Sequence, residues 1–595
     1  MFYNIYCIFV VVINIRIMEV KDFFVTPSTV AQKQYEALRM FFVEKKSAKE
    51  VASKFGYTYR GFTTIVSEFR KKLKQGKHNE LFFKENKRGR KESSQDIVKA
   101  ILDLRKLYYS IEDIKVALDA SGMSVSEKTI YNIVRKNGFA RLPRRQKLVK
   151  QNLEAPTIKA EKTKPLTFKK QSFKSSAAGI LALLPYIRKY EIDKLIQDSD
   201  YPGTKQISRL SSILSFIALK TSDIRRYTID DKWCMDRGMG LFAGLNVLPK
   251  AAWFSSYSHK VTLDMNLKFL QSLHRKWVSM GLLSDTSNLD FTTIPYWGEN
   301  DHLENNWSGK RTKALPSMLA VLAQDPDSGI IDYGRTDVMH KNESAVVLEF
   351  LDFYRAGSEN NENLKYLVFD SKFTNYENLA KLDKAGIKFI TIRRRGKNIV
   401  NRLENLPKGD WKSIRIDRAG NKKATIKVLD EIVYLRNYND NIRQISITGH
   451  GKIKPATIIT NDFDLPVKRI VRKYSRRWLV EKSISEQIEF FHLNRVSSSM
   501  VIKVDFDLTM SILTHNIFRL FAMDTERYIH ATDQKIYNKF LDNSADIVID
   551  DNEINIDLKK KRNLPQILQM ASEYNQLKYP WLNNFKLIFS GATYS

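Results

Sequence analysis

The chain has 595 residues, 43% hydrophobic and 11% aromatic, which at roughly 100–200 residues per domain makes about three to five folding units and excludes a disordered chain. Lys and Arg total 98 against 66 Asp and Glu, a net charge of +32; this excess calls for a polyanionic partner, nucleic acid first and an anionic membrane surface second. Two cysteines, Cys7 and Cys234, exclude a disulfide framework and a zinc ribbon and suit a reducing compartment.

In chain order, residues 1–17, MFYNIYCIFVVVINIRI, are the one membrane-like stretch. The stretch is short for a bilayer, is interrupted by Asn4 and Asn14, and has no positive charge before its apolar run. Met18 opens a sequence of ordinary soluble composition. Residues 1–17 therefore read as an upstream start carried into the frame, with a buried or interfacial segment and a membrane anchor as the alternatives.

From Lys45 to Leu73 the spacing predicts two short helices and a sharp turn. Ser47-Ala48-Lys49-Glu50 is a capping box, Gly56 ends the first helix, and Tyr59 begins a second rich in Arg and Lys. The pattern returns from Ser110 to Gly138, where Ser110 caps one helix and Ser126 opens the next. Helix, Gly-containing turn and basic helix are the ingredients of a helix-turn-helix, so residues 18–90 and 91–145 read as two DNA-binding units of this kind. Between them, Lys87-Arg88-Gly89-Arg90-Lys91 suits either a minor-groove contact or a solvated basic linker. Residues 146–175 read as a flexible basic linker: from Arg141 to Ser175 there are 11 basic and 2 acidic residues, with three prolines.

Residues 176–280 read as a helical connecting region. From 281 to 525 the pattern becomes α/β: strands in SNLDFTTI, LPSMLAVLAQ and SGIIDYGRT, a helix in SAVVLEFLDFYR, then the buried strand KYLVFD, the helix NYENLAKLDKAG and the strand IKFITIRRR. A β-rich insertion occupies about 395–465, and helical spacing returns at VKRIVRKYSRRWLVEKSISEQIEFFHL and VIKVDFDLTMSILTHNIFRLFA. Residues 526–595 form a polar, mixed C-terminal region.

Three acids in the α/β region could carry chemistry. Asp290 lies inside a strand, where a carboxylate is costly unless paired or bound to a cation. Asp370 stands at the carboxyl end of KYLVFD, where open α/β sheets place ligands. Glu481 lies on a helix among Arg476, Arg477 and Lys482. Each singly also suits a salt bridge, a cap or a surface charge. Together they are what two-metal phosphodiester chemistry requires, hard oxygen ligands for two Mg2+ ions about 4 Å apart. The histidines show no metal spacing, and no GxxxxGK[ST] loop occurs, so no nucleotide cofactor is expected.

The segments LDFTTIPYWG, LVFDSKFTNYENLAKLDKAGIKFITIRRRG and YSRRWLVEKSISEQIEFFHLNRVSS, with the helix DFDLTMSILTHNIFRLFA, resemble DDE transposases of bacterial insertion sequences, specifically the insertion-sequence-four superfamily. The third segment carries that superfamily's tyrosine–arginine–glutamate signature as Tyr474, Arg477 and Glu481; the signature's lysine, seven positions after the glutamate, is replaced by Ile488. The resemblance covers roughly residues 285–525.

It implies a ribonuclease-H-like fold with Asp290, Asp370 and Glu481 as catalytic residues and metal ligands for two Mg2+ per site, with Mn2+ as substitute. It implies DNA-phosphate contacts by Tyr474 and Arg477. The function it implies is cut-and-paste transposition: binding of terminal inverted repeats, hydrolysis at the element's end, and attack of the freed 3′-OH on target DNA. The partners would be double-stranded DNA and a second copy of the chain in a synaptic homodimer, in a prokaryotic cytoplasm at the nucleoid, with no membrane. Two rivals remain open: a decayed or domesticated DNA-binding regulator, and a nuclease of the same fold without strand transfer.

Overall fold

The computed structural model describes residues 27, 29–75, 94–106, 109–121, 123–139, 162–224, 232–295, 303–308, 313–357, 364–394, 396–417, 423–451, 454–477, 480–481, 489–493 and 501–592. Residues 1–17, the Lys87–Lys91 cluster, Trp478, Lys482 and Ile488 lie outside them. The chain divides into two compact units, 1–94 and 95–595.

In the first unit, α1 (Val30–Phe42), α2 (Ala48–Lys54) and α3 (Tyr59–Lys74) enclose Ala37, Leu38, Val51, Phe62 and Val66. The capping box at Ser47 forms: its Oγ accepts from the Glu50 amide at 3.3 Å, and the Glu50 carboxylate accepts from the Ser47 amide at 3.1 Å. A cap of this kind stabilises a helix by about 1 kcal/mol. Gly56 turns the chain at φ +63°, where any side chain would be strained. The exposed positions of α3 include Arg60, Thr64, Ser67, Lys71 and Lys74, which fall on one face at helical spacing.

The second unit begins with α4 (Gln95–Lys106), α5 (Ile111–Ala120) and α6 (Glu127–Lys136), packed around Ile101, Ile114, Leu118, Ile130 and Val134. Ser110 and Asp113 form a second capping box at 3.0 and 2.9 Å, and Ser126 caps α6 at 3.3 Å.

The expected basic linker ends earlier than its composition suggests. The Lys164 amide donates to Asn246 Oδ1 at 2.9 Å, and β1 (Gln171–Ser175) pairs antiparallel with residues 545–549. Five residues with one aromatic give no periodic signal, and only the distant partner makes them a strand. Helices then dominate up to 279, among them α7 (Arg209–Thr221) and α8 (Leu263–Ser279), which buries Trp277 completely.

The α/β region runs β2 (Thr286–Pro295), β3 (Asn305–Ser308), β4 (Lys313–Gln324), β5 (Ile331–Val338), α9 (Val346–Gly357), β6 (Tyr366–Phe369), α10 (Tyr376–Lys384), β7 (Lys388–Ile392), β8 (Lys412–Asp417), β9 (Lys423–Leu435), β10 (Asp440–Thr448) and β11 (Ala456–Thr460), with β3 added to the expected strands. The ten strands form one mixed sheet in the order β3-β4-β2-β6-β7-β11-β10-β9-β8, with β5 on β4. Only β2–β6 and β6–β7 are parallel. The β insertion extends this sheet through antiparallel pairing of β11 with β7, Ile458 opposite Ile392.

Alternation along β6 and β7 divides the sheet's two faces. Leu367, Phe369 and Phe389 join the main core with Leu379 and Leu382 of α10. Tyr366, Val368 and Ile390 join a second core with Ile470 and Val471 of α11 (Val467–Ser475). The two helices therefore cover opposite faces.

Next comes α12 (Val501–Met523), which packs along β5. Its Asn516 donates to the Ile331 carbonyl at 2.8 Å and accepts from the Ile331 amide at 2.9 Å. Gly334 admits the close approach, since a Cβ there would lie 2.4 Å from Ile512 Cδ1. The C-terminal region is ordered as β12 (Ala545–Asp550), β13 (Glu553–Leu558), α13 (Leu564–Ser572) and β14 (Lys586–Gly591), giving a second sheet β1-β12-β13-β14. Among the described residues no helix is long and apolar enough to cross a membrane.

Candidate active site

Strands β2 and β6 run parallel in the register Asn288↔Val368 and Leu289↔Phe369. One step further along each strand stand Asp290 and Asp370, side by side on the face that α11 covers, since Tyr366 and Val368 share that face. The strand tops are held by ring stacking of Phe291 on Phe373, with centroids 4.0 Å apart and planes 7° from parallel. Asp370 then leads into the short turn Ser371–Phe373.

Helix α11 begins after Pro466 and ends at Ser475; Arg476 and Arg477 form a turn, and Val480 and Glu481 are helical again. The Arg477 amide bonds back to Tyr474, and the Val480 amide to Arg477, three-residue closures that tighten the turn and bring the signature against β2. Four further contacts pin this end of α11. Asn288 Nδ2 donates to the Arg476 carbonyl at 3.3 Å, Lys473 Nζ reaches Thr286 Oγ1 at 2.5 Å and Asp285 at 3.3 Å, and Arg476 donates to the Pro326 carbonyl at 2.6 Å. Sequence reasoning missed Asn288 and Lys473 as positioning residues. Lys473 adjoins the signature, but nothing in the sequence pairs it with Thr286.

Asp290 is 9% exposed, accepts from the Phe291 amide at 2.8 Å, and is ion-paired with the Arg477 guanidinium. The other arm of Arg477 binds Glu481 Oε1 at 2.8 Å, the i,i+4 contact that the signature's spacing allows. Glu481 remains half-exposed, with 49% of its side chain open to solvent. Arg477 itself is 7% exposed, with its guanidinium 5.7 Å from the Tyr474 ring centre. Expected on DNA phosphates, Arg477 is here turned inward onto two of the three acids.

Burial pushes the Asp290 carboxyl up to about 6; Arg477 and the Phe291 amide oppose the shift, while Glu481 and Asp370 add to it. Burial also pushes the Tyr474 phenol up to about 12, against Arg477 and with Asp370 and Asp290. Burial disfavours the charged Arg477, but Asp290, Tyr474, Glu481 and Asp370 outweigh it and hold the guanidinium firmly protonated. The three acids and the signature pair thus share one electrostatic neighbourhood.

Among the described residues no three carboxylate, His or Cys side chains stand close enough to close around a metal ion, and Arg477 bridges Asp290 and Glu481. The donor set nevertheless fits a hard divalent cation. It offers three carboxylates and only oxygen ligands, with a single guanidinium, Arg477, paired to two of them.

Residues 285–517, less than half of the chain, match the family model of the transposase DDE domain. That segment contains Asp290, Asp370, Tyr474, Arg477 and Glu481. Among solved structures, the chain is similar to the piggyBac transposase in its synaptic complex with hairpin DNA, at TM-score 0.33 and 10% identity, over 62% of this chain and 82% of that one. A superposition this loose carries no argument. No curated protein matches the chain.

Proposed function

We propose that the protein is a DNA transposase that binds the terminal inverted repeats of its element, hydrolyses the phosphodiester at the element's end, and joins the freed 3′-OH to target DNA. One observation carries the reading: Asp290 and Asp370 lie side by side on parallel strands, and Glu481 is tied to Asp290 through Arg477, inside the segment that matches the transposase DDE domain.

Each residue has a part in this reading. The rigid centre of a ribonuclease-H-like sheet holds Asp290 and Asp370 in register, so their spacing costs no reorganisation when DNA arrives. Glu481 approaches from the helical residues that follow the turn after α11 and is the most exposed member of the set. Arg477 offsets the acids' mutual repulsion, and Tyr474 walls the site from water. Two Mg2+ ions, or Mn2+ in their place, held by Asp290, Asp370 and Glu481, would supply the Lewis acidity that phosphodiester hydrolysis needs.

The two three-helix units supply DNA binding as helix-turn-helix modules, with α3 and α6 as the helices that enter the major groove. The exposed stripe Arg60, Thr64, Ser67 and the exposed Lys128, Asn132 and Arg135 are the side chains placed to read bases and phosphates there. Function at two DNA ends implies a homodimer, working in a prokaryotic cytoplasm at the nucleoid.

The test uses the full chain, Mg2+ and a labelled duplex spanning the junction between its gene's flanking repeat and neighbouring DNA. A transposase releases the end and yields a joined product with a supercoiled target. Cleavage without joining would leave a nuclease, and specific binding without either a DNA-binding regulator.

A further inference from the structure

Two helices lean on β6 and β7 from opposite sides, and their charges differ sharply. On one face α10 carries Lys381 and Lys384 against Glu377 and Asp383, a neutral balance. On the other, α11 carries Lys468, Arg469, Arg472 and Lys473 with no acid, and Arg476 and Arg477 follow. A chain-wide excess of base would not sort itself so completely between two faces of one pair of strands.

The cations of α11 and its turn fall into two groups. Lys473, Arg476 and Arg477 turn toward the sheet and are paired with Asp285, Asp327, Asp290 and Glu481. Lys468, Arg469 and Arg472 are exposed and, among the described residues, make no side-chain hydrogen bond or ion pair. Their placement is locally unfavourable. Lys468 and Arg472 repel at i,i+4, and Lys468 and Arg469 occupy the first turn, where the helix dipole disfavours positive charge. An arrangement that costs stability by itself is accounted for by a polyanion that neutralises it.

Position adds direction. At 1.5 Å per residue, Lys468 and Arg472 stand about 6 Å apart along the helix, and Arg477 follows just past its end. One DNA strand presents a phosphate about every 3.4 Å along its axis, so the row matches alternate phosphates. It ends at the turn that carries Arg477, shortly before the helical Glu481, on the face where Asp290 and Asp370 project.

We propose that the outer face of α11, through Lys468, Arg469 and Arg472, is a track for the sugar–phosphate backbone of the duplex whose scissile phosphate meets Asp290, Asp370 and Glu481. The assignment rests on the transposase reading, and concerns how the DNA reaches the site. Being contacts to phosphate, these residues carry no sequence preference.

The experiment measures affinity of the full-length protein for a duplex bearing the element's end, and for an unrelated duplex of equal length, across a salt series. Each phosphate contact contributes roughly 0.9 to the slope of log K against log salt. Replacing all three residues, K468Q/R469Q/R472Q, is expected to lower the slope by about 2.7 on both duplexes alike. K381Q/K384Q on the neutral helix is expected to leave it unchanged, and the charge-conserving K468R/R469K/R472K to keep the wild-type slope. Circular dichroism checks that the triple variant folds; should it not, single K468Q, expected to lose about 0.9, reads the same contact. A wild-type slope in the neutralised variant, or an equal loss in K381Q/K384Q, overturns the track alone. Wild-type protein that binds neither duplex overturns the DNA-acting reading and the track with it.

Discussion

Two regions of the second unit bury acids, and they treat them differently. Under α12, Asp533 is fully buried between His515 Nδ1 at 2.6 Å and Arg519 Nη2 at 3.1 Å. Burial would raise its carboxyl, but His515 and Arg519 outweigh burial and hold it below the ordinary value. At the sheet centre, Asp290 is almost as buried but, among the described residues, is met by one amide and a guanidinium shared with Glu481, and its carboxyl is pushed up to about 6. A saturated carboxylate holds a fold together. An undersupplied one beside two further acids is available to a cation that has yet to arrive.

The largest expected effect separates the two regions by what is lost. Asp290→Asn and Asp370→Asn should each lower single-turnover end cleavage by about three orders of magnitude or more, equivalent to ~4 kcal/mol of transition-state stabilisation. Thermal stability should fall less than on loss of a fully saturated buried acid, because Asp370 is only partly buried and Arg477 keeps its pair with Glu481 when Asp290 is replaced. Cleavage at the wild-type rate by either variant would remove that residue from the site.

Asp533→Ala should do the reverse. It leaves Arg519 with a buried, unpaired charge, and breaking such a pair costs about 3–5 kcal/mol. The unfolding midpoint should drop well below that of Asp290→Asn, while the cleavage rate of the protein that remains folded stays near wild type. A drop in cleavage without loss of stability would show that Asp533 belongs to the chemistry after all.

What the sequence could reveal follows the same division between local and distant partners. The strands at 286–295, 313–324 and 366–369 announce themselves by apolar runs, and Asp290 stands out because a carboxylate interrupts one. Arg477 and Glu481 are legible as an i,i+4 pair. The inward turn of Arg477 was not legible, because its direction depends on Asp290, 187 positions away. Strand β1 was hidden for a related reason. Its end is fixed by Asp236, whose carboxylate accepts from Ser175 Oγ at 2.7 Å and from the Ser176 amide at 2.8 Å, and neither serine marks a strand by its own pattern. In β12 and β13 apolar residues alternate cleanly, ADIVID and EINIDL, but the acids between them resembled loop composition.

Asp505 is the case between the two regions, and its titration gives the smallest and sharpest test. It is buried; its Oδ1 accepts from the Thr336 amide at 3.1 Å and hydroxyl at 3.0 Å, and its Oδ2 from Asn266 Nδ2 at 2.8 Å. Burial pushes the carboxyl up to about 6 and Asp337 adds to the shift, while the Asn266 and Thr336 donors pull against it. The folded state therefore holds this proton more tightly than the unfolded chain, whose carboxyl titrates near ~3.9. The charge is a penalty above pH ~6 that is relieved as the pH falls toward ~4, by on the order of 3 kcal/mol in full. Asp505→Asn carries no charge to relieve. Its Oδ1 can keep both Thr336 donors, and its Nδ2 is satisfied if the Asn266 amide turns over, Tyr201 Oη then accepting where it now donates to Asn266 Oδ1 at 3.0 Å. Urea titrations at pH 4.5, 6 and 8 should show the variant gaining on wild type as the pH rises through this window. A difference constant to within ~0.5 kcal/mol across it would mean that Asp505 stays ionised throughout, saturated as Asp533 is, and that a raised carboxyl at Asp290 does not by itself mark the site that binds the cation.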